Sequence, residues 1–251
     1  MLNLLLFKSA ANLRTEVSRY YLNYLWWIIE PILSMAVFYL VFGIFLNRGT
    51  EHYVAFLLVG LAGWNWFARS VQNISTSIYQ ARDLMQYIKI PKSFFPLEIF
   101  LQDAFKNAFV VALLLLFLIV YPTPVSITWL ALPVIMAVQA LLILATGMLC
   151  AALIPFVQDL KFIVSTAIHL LFFGSGVFYR IEDVVLPKHQ FLLQLNPVVG
   201  LLRAYRESLI YATWPDWIYL TKVTLASGLL LCCAVWLLRR FDRVYPRICQ
   251  Q

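Results

Sequence analysis

Few side chains in this sequence have the means to do chemistry, and those that do stand in apolar surroundings. Asn65, Arg69, Gln72 and Thr76 recur at spacings of 4, 3 and 4 residues, which puts them on one face of an α-helix. An arginine facing hydrocarbon costs about 2.5–3.5 kcal/mol on insertion scales. Such a face should therefore meet a protein interior or a wet path. Arg69 also lies 16 residues after Tyr53, roughly 24 Å along a helix axis. At that depth it can instead snorkel, with its stem in lipid and its charge in the headgroup layer. Both readings stand.

Aromatic rings cluster near the same depth. Trp26 and Trp27 open one apolar run, and Trp64, Trp66 and Phe67 sit low in the next. Tryptophan belts anchor ordinary membrane proteins at the interface. The sharper reading is a sliding surface for sugar, because the C–H faces of sugar rings stack on aromatic faces. Glu30 precedes Pro31 and lies about one turn past Trp26. A carboxylate there needs a cation or water. Arg14 or Arg19 can supply the cation, as a structural ion pair or as a gate. His169 lies about 12 Å into an apolar run by helix rise. No chain of titratable neighbours accompanies it, so it reads as a hydrogen-bonded histidine rather than a proton relay.

Several chemistries are missing. There is no Gly-x4-Gly-Lys-Ser/Thr phosphate loop, no Gly-x-Gly-x-x-Gly and no His-Glu-x-x-His. His52, His169 and His189 lie far apart, with no carboxylate pair beside them. Cys150, Cys232, Cys233 and Cys249 have neither metal-ligand spacing nor a disulfide framework and read as small apolar residues. No catalytic constellation and no metal site is expected. Uphill transport would need an ion gradient or a separate motor.

The elements that position these residues follow from composition. Hydrophobic residues make up 63 % of the 251 and charged residues 12 %, with a mean hydropathy of +0.82. A soluble domain carries about 25 % charged residues, so the class is membrane. The net charge of +7 sits between apolar runs, so topology explains it and nucleic acid does not. Six runs approach the roughly 20 residues that cross a bilayer. They cover about Leu25–Leu46, Tyr53–Ser75, Ala104–Tyr121, Trp129–Phe156, Phe162–Tyr179 and Trp217–Leu238. With the N-terminus in the cytoplasm, the inner segments hold 12 Lys and Arg and the outer segments 5. That bias places both termini inside. No cleavable signal is evident.

Three segments do not span. Residues 1–22 alternate Leu2, Leu6, Leu13 and Val17 with Lys8, Arg14 and Arg19. This predicts an amphipathic helix in the cytoplasmic interface, held by apolar burial and anionic lipid; a basic tail is the alternative. Residues 80–96 are amphipathic and end at prolines. Residues 180–216 are too apolar for a solvated loop and too charged to span, which suits re-entrant or interfacial helices. The fold class is an all-α polytopic membrane protein of one domain, residues 1–251.

The order of these features has a likeness. Tyr24-Leu-Trp-Trp-Ile-Ile-Glu30-Pro31 enters the first span, and Leu84-Met-Gln-Tyr-Ile-Lys-Ile-Pro91-Lys-Ser-Phe-Phe-Pro96 follows the second. Asp159-Leu-Lys161 starts the fifth. Asn196-Pro197, Arg203 and Arg206-Glu207 follow it. The chain resembles the membrane subunit of type-2 ABC exporters, in the branch that exports O-antigen, capsule and related lipid-linked polysaccharides. One departure is Phe173-Gly-Ser-Gly-Val-Phe-Tyr179, where the family often has a proline.

The resemblance implies a homodimer of six-span subunits in the bacterial inner membrane, paired with two ATP-binding cassette subunits. ATP and Mg would bind those partners, leaving this chain without catalysis or cofactor of its own. Residues 82–92 would be the coupling helix. Asp83, Tyr87, Lys89 and Lys92 would contact the ATPase, while Leu84 and Ile88 would pack. Trp27, Trp64, Asn65, Trp66, Phe67 and Gln72 would line a glycan path. Arg14, Arg19, Glu30 and Arg69 would meet a lipid phosphate or form a gate. Periplasmic export proteins are further partners the resemblance allows. The rivals are a type-2 drug or small-lipid exporter, and an intramembrane enzyme or scaffold. The last predicts clustered carboxylates or histidines, which the sequence lacks.

Overall fold

The computed structural model describes residues 5, 7–9, 11–12, 29, 32–34, 36–37, 39–45, 52–87, 90–121, 124–181, 193, 195–242 and 244–248. Among these, every regular element is helical. The elements are α1 (Tyr53–Gln80), α2 (Leu84–Tyr87), α3 (Phe94–Val120), α4 (Leu132–Leu153), α5 (Leu160–Gly174), α6 (Pro197–Leu209), α7 (Trp217–Arg240) and α8 (Tyr245–Ile248). A π-helical segment, Tyr39–Phe45, precedes α1, and a 3₁₀ turn, Ile127–Ala131, leads into α4.

Local chemistry sets the helix ends. Asn196 caps α6 by accepting from Val198 N–H, and Pro197 fills the first helical position, where a missing N–H costs nothing. Asp216 caps α7 by accepting from Ile218 and Tyr219 N–H. Arg239 and Arg240 in its last turn complement the helix dipole. Helix α3 stops where Tyr121 turns extended (φ −76, ψ 145), as the following Pro122 requires. Gly176 takes φ 65 just beyond α5, a conformation that a side chain would strain.

Four helices are long and apolar enough to cross a bilayer: Tyr53–Gln80, Phe94–Val120, Ile127–Leu153 and Trp217–Arg240. They match the expected second, third, fourth and sixth spans. Helix α5 has 15 residues, about 22 Å at helix rise, and is shorter than the run expected over Phe162–Tyr179. The described residues between 29 and 45 are helical and fall in the expected first span. Helix α3 starts ten residues before the expected Ala104, and the reason is tertiary. Hydropathy breaks at Glu98, Asp103 and Lys106, yet Glu98 and Asp103 are buried and partnered within the chain.

Helix α1 is the spine. Over its most apolar stretch it is 72 % buried, against 22 % for α3 and α7. It touches α3, α4, α5 and α6, while α7 lies against α4. Helix α1 therefore reads as the subunit's inner helix, and α3 and α7 turn wide apolar faces outward. In lipid there is little hydrophobic drive between helices, so close approach and buried hydrogen bonds hold the bundle. Gln139 of α4 donates to Gly63 O at 2.7 Å. Thr128 donates to Ser208 O at 2.8 Å, tying the 3₁₀ turn to α6. A methyl group on Gly147 would meet Ile74 Cγ2 at 2.7 Å, so α4 and α1 are in contact backbone to side chain.

That contact is testable. Gly147→Ala should lower stability by about 1–3 kcal/mol through overpacking, read as a lower unfolding midpoint in detergent. Gly228→Ala on α7, with nothing within 4 Å of the new methyl, should leave the midpoint unchanged or raise it.

Candidate functional site

Polar chemistry inside the bundle gathers between α1 and α3. These helices run antiparallel, so Asn65, Arg69, Ser70 and Asn73 of α1 fall level with Asp103, Lys106 and Asn107 of α3. Asn73 Nδ2 donates to both carboxylate oxygens of Asp103, at 3.0 and 3.2 Å. A cavity of about 90 Å³ lies beside this pair. Asn65, Trp66, Arg69, Ser70, Asp103, Lys106 and Asn107 form its polar wall, while Leu58, Leu61, Leu113 and Leu114 form an apolar one. Ser34, from the first apolar run, closes one side. Asp103, Lys106 and Asn107 were not singled out as site residues from sequence. Their signal was there: an i, i+3, i+4 polar triad in an apolar run.

The predicted α1 residues divide. Asn65 and Arg69 are exposed on the cavity side and Gln72 and Thr76 are half-buried. Trp64, Trp66 and Phe67 are buried within the subunit, at 4, 7 and 6 % exposure. The Trp64 ring rests on Phe67 (5.8 Å between centroids) and on Phe172 of α5 (5.6 Å). Their faces are thus occupied by protein in this conformation. Trp27, Arg14, Arg19, Glu30, Ile88 and Lys89 lie outside the described residues. His169 Nδ1 lies 2.7 Å from Ser165 O one turn back, a local hydrogen bond.

The turn after α1 presents a charged tip. Arg82 and Asp83 are exposed, 3.8 Å apart, and Arg82 donates to the Tyr79 hydroxyl at 3.0 Å. Leu84 is half-buried and Met85 is buried against the core, so α2 is rooted by its apolar side. Tyr87 ends α2. Lys92 is turned inward at 5 % exposure. Its backbone N–H donates to Asp242 at 3.0 Å and its ammonium to Ile90 O at 3.2 Å. In the subunit this residue ties the segment to the chain beyond α7.

The described N-terminal residues dock on the start of α3. Lys8 Nζ lies 3.0 Å from Glu98. Asn12 and Gln102 donate to the same carboxylate at 2.6 and 3.1 Å. Ser9 donates to Glu98 O at 3.4 Å, and the Lys8 ammonium lies over the Phe94 and Phe95 rings. The segment expected to lie in the interface is held by protein, through one buried acid.

A second polar cluster sits at the opposite end. Arg206 of α6 is buried and donates to Phe56 O at 3.3 Å, Gly176 O at 2.9 Å and Val177 O at 2.9 Å. Its guanidinium lies 3.5 Å from the Phe56 ring centroid, within cation–π range. Beside it a cavity of about 290 Å³ is bordered by Tyr179, Arg180, Arg203, Glu207 and Tyr211. Arg203 pairs with Glu207 at 2.8 Å, and Arg180 donates to the Tyr211 hydroxyl.

Two variants probe these anchors. Arg206→Ala leaves buried carbonyls without donors and should cost about 2–5 kcal/mol. Arg206→Lys should rescue only part, since an ammonium lacks the planar fork. Thermal unfolding of the purified protein checks both. Glu98→Ala should release the N-terminal segment without unfolding the bundle. Faster protease cleavage between residues 5 and 12 at an unchanged melting point is the expected result.

Comparison with known proteins gives this arrangement a lineage. The profile of the ABC-2 type transporter family matches residues 9–210. The O-antigen export system permease protein RfbA of Klebsiella pneumoniae is 24 % identical over 214 residues, covering 85 % of this chain and 82 % of that protein. A second Klebsiella pneumoniae RfbA is 26 % identical over 208 residues, covering 82 % and 80 %. RfbA of Myxococcus xanthus is 28 % identical over 217 residues, covering 85 % and 83 %. The family match spans most of the chain, from the N-terminal segment on α3 to the last residues of α6, and the chain belongs to the ABC-2 type transporter family.

Proposed function

We propose that this chain is the membrane subunit of an ATP-driven exporter that moves a lipid-linked polysaccharide, O-antigen or capsule, across the bacterial inner membrane. The observation that carries the reading is the set of relatives: O-antigen export permeases that align over four-fifths or more of both chains. The all-helical, multi-pass architecture suits it. On this reading two copies pair, each with six spans and cytoplasmic termini, and α6 is part of a re-entrant outer segment. The absent phosphate loop fits a division of labour in which separate ATP-binding subunits hold ATP and Mg and do the hydrolysis.

Force would enter at the turn after α1. Asp83 and Arg82 reach outward there, while Leu84 and Met85 fasten α2 to the core. A push on the tip is thus transmitted to α1, the most buried span. ATP closure of the motor acts by favouring one arrangement of these helices over another. Tyr87, Ile88, Lys89 and Lys92 extend the proposed contact. The proposed glycan path runs past Trp27, Trp64, Asn65, Trp66, Phe67 and Gln72. It requires the buried rings to become accessible when the two copies rearrange. Arg14, Arg19, Glu30 and Arg69 remain proposed contacts for the lipid phosphate or the gate.

A drug or small-lipid exporter is the second reading. The size of the α1–α3 cavity favours it, since about 90 Å³ admits a headgroup and not a polymer. The relatives' names weigh the other way.

A deletion strain separates these outcomes. Loss of the gene should leave finished lipid-linked polymer inside the cell and remove it from the surface. Normal surface polymer would reject the polysaccharide assignment. In the purified transporter, alanine at Asp83, Leu84 and Tyr87 together should preserve insertion and lower export at least tenfold relative to ATP turnover, about 1.4 kcal/mol of lost coupling. Unchanged export and ATPase association would dismiss the coupling role.

A further inference from the structure

We infer that the cavity between α6, the start of α1 and the turn after α5 is a binding site for one neutral sugar ring. The inference rests on the proposed glycan export and adds a contact for the glycan that this reading does not otherwise include.

Position is the first argument. Phe56, which borders the cavity, is the fourth residue of α1, about 5 Å from the helix start. Helix α1 has 28 residues, about 42 Å, so the cavity lies at the end far from the Arg82–Asp83 turn. Arg180, Arg203 and Tyr211 are exposed there, which leaves the cavity open to water. With the termini in the cytoplasm, this end faces the periplasm, where an exported glycan emerges.

Charge is the second argument, because the wall carries both signs. Arg203 Nε lies 2.8 Å from Glu207, and Arg180 donates to the Tyr211 hydroxyl. Arg206 donates to three backbone carbonyls. An anion would meet the Glu207 carboxylate, and a cation would meet three guanidinium groups. A neutral ligand meets neither penalty.

The third argument concerns hydrogen bonds. Glu207 Oε1 accepts from Arg203, and among the described residues nothing donates to Oε2. The Tyr211 hydroxyl accepts from Arg180 and keeps its own hydrogen to donate. Arg180 has further N–H groups beyond the one it gives to Tyr211. The wall thus offers an acceptor and donors side by side. A sugar hydroxyl donates and accepts at once, so neighbouring hydroxyls of one ring answer both.

Shape and rigidity are the fourth. About 290 Å³ is close to the lower bound of ligand pockets and suits one ring rather than a chain. Tyr179 and Tyr211 supply aromatic surface for its C–H faces, and Tyr211 is 38 % exposed. Val199, Arg203, Arg206 and Glu207 share one face of α6. Arg206 fastens that face to Phe56 O, Gly176 O and Val177 O. The wall is therefore ordered before a ligand arrives, which lowers the cost of binding. One ring held weakly can also be released, as a moving polymer requires.

The test uses full-length protein in phosphatidylcholine nanodiscs, free of sugar-based detergent. Saturation-transfer NMR reads binding of the methyl glycosides of glucose, galactose, mannose and N-acetylglucosamine. Methyl glucuronide and methyl glucosaminide carry a negative and a positive charge on the same ring, and glycerophosphoethanolamine stands for a zwitterionic lipid headgroup. At least one neutral glycoside should bind through its ring C–H protons, about threefold or more tighter than the three charged probes. Tyr211→Leu removes the ring and the hydroxyl and should weaken that binding about tenfold. Tyr211→Phe should weaken it about threefold, and Trp236→Leu on the outward face of α7 should leave it unchanged. Should Tyr211→Leu misfold, Glu207→Gln removes the charged acceptor at nearly equal volume and should weaken binding about fivefold. Absence of binding by every neutral glycoside overturns the inference, as does full affinity in the Tyr211→Leu or Glu207→Gln protein. A charged probe bound as tightly as the neutral rings assigns the cavity to an ion or a lipid headgroup and overturns it too. Binding needs neither nucleotide nor transport, so failure here leaves the export reading to the deletion strain.

Discussion

Arg206 holds together the stretch where the chain leaves regular helix just after α5. Where α5 ends and the chain turns back through Gly176, no helix satisfies the carbonyls of Gly176 and Val177. Irregular backbone at membrane depth persists only where protein or water meets its polar groups. One guanidinium donates to both carbonyls and to Phe56 O, and lies 3.5 Å from the Phe56 ring centroid. The planar fork of arginine suits this divergent set of acceptors. It is a common anchor for α6, the turn after α5 and the first turn of α1.

Helix α1 carries that anchor inward. Its start is clamped by Arg206, its middle lines the polar cavity with α3, and its end forms the charged turn at Arg82 and Asp83. Close contacts at Gly63 and Gly147 seat it against α6 and α4. A displacement at one end of so buried a helix cannot be absorbed locally, because packed interiors shift between discrete arrangements rather than deform continuously. The same helix therefore connects the Arg206 anchor, the polar cavity and the charged turn. The second face of the cavity belongs to α3, whose first turns also receive the N-terminal segment through Lys8 and Glu98.

Much of this was legible in the residues. Low charge and long apolar runs required a membrane protein, and four of the expected spans are helices of spanning length. The stripe Asn65, Arg69, Gln72 and Thr76 does lie along α1. The segment 180–216, expected to hold helix rather than a solvated loop, does contain α6. Legibility failed where a charge inside an apolar run was read as the run's boundary. Glu98 and Asp103 moved the expected start of the third span inward to Ala104, although the helix continues through both.

Sequence by itself determined the solvent, the secondary structure and the absence of a nucleotide loop. These depend on composition, periodicity and contiguous motifs, which are local properties of the chain. Tertiary structure alone decided which polar groups meet. Asp103 finds Asn73 across 30 residues, Glu98 finds Lys8 across 90, and Arg206 finds Phe56 across 150. It also turned Trp64, Trp66, Phe67 and Lys92 inward. The physical reason is that spacing along one helix sets a side chain's face, whereas its partner depends on which neighbour packs there. That choice depends on the fit of Gly63 to Leu202 and Gly147 to Ile74, contacts between residues far apart in the chain.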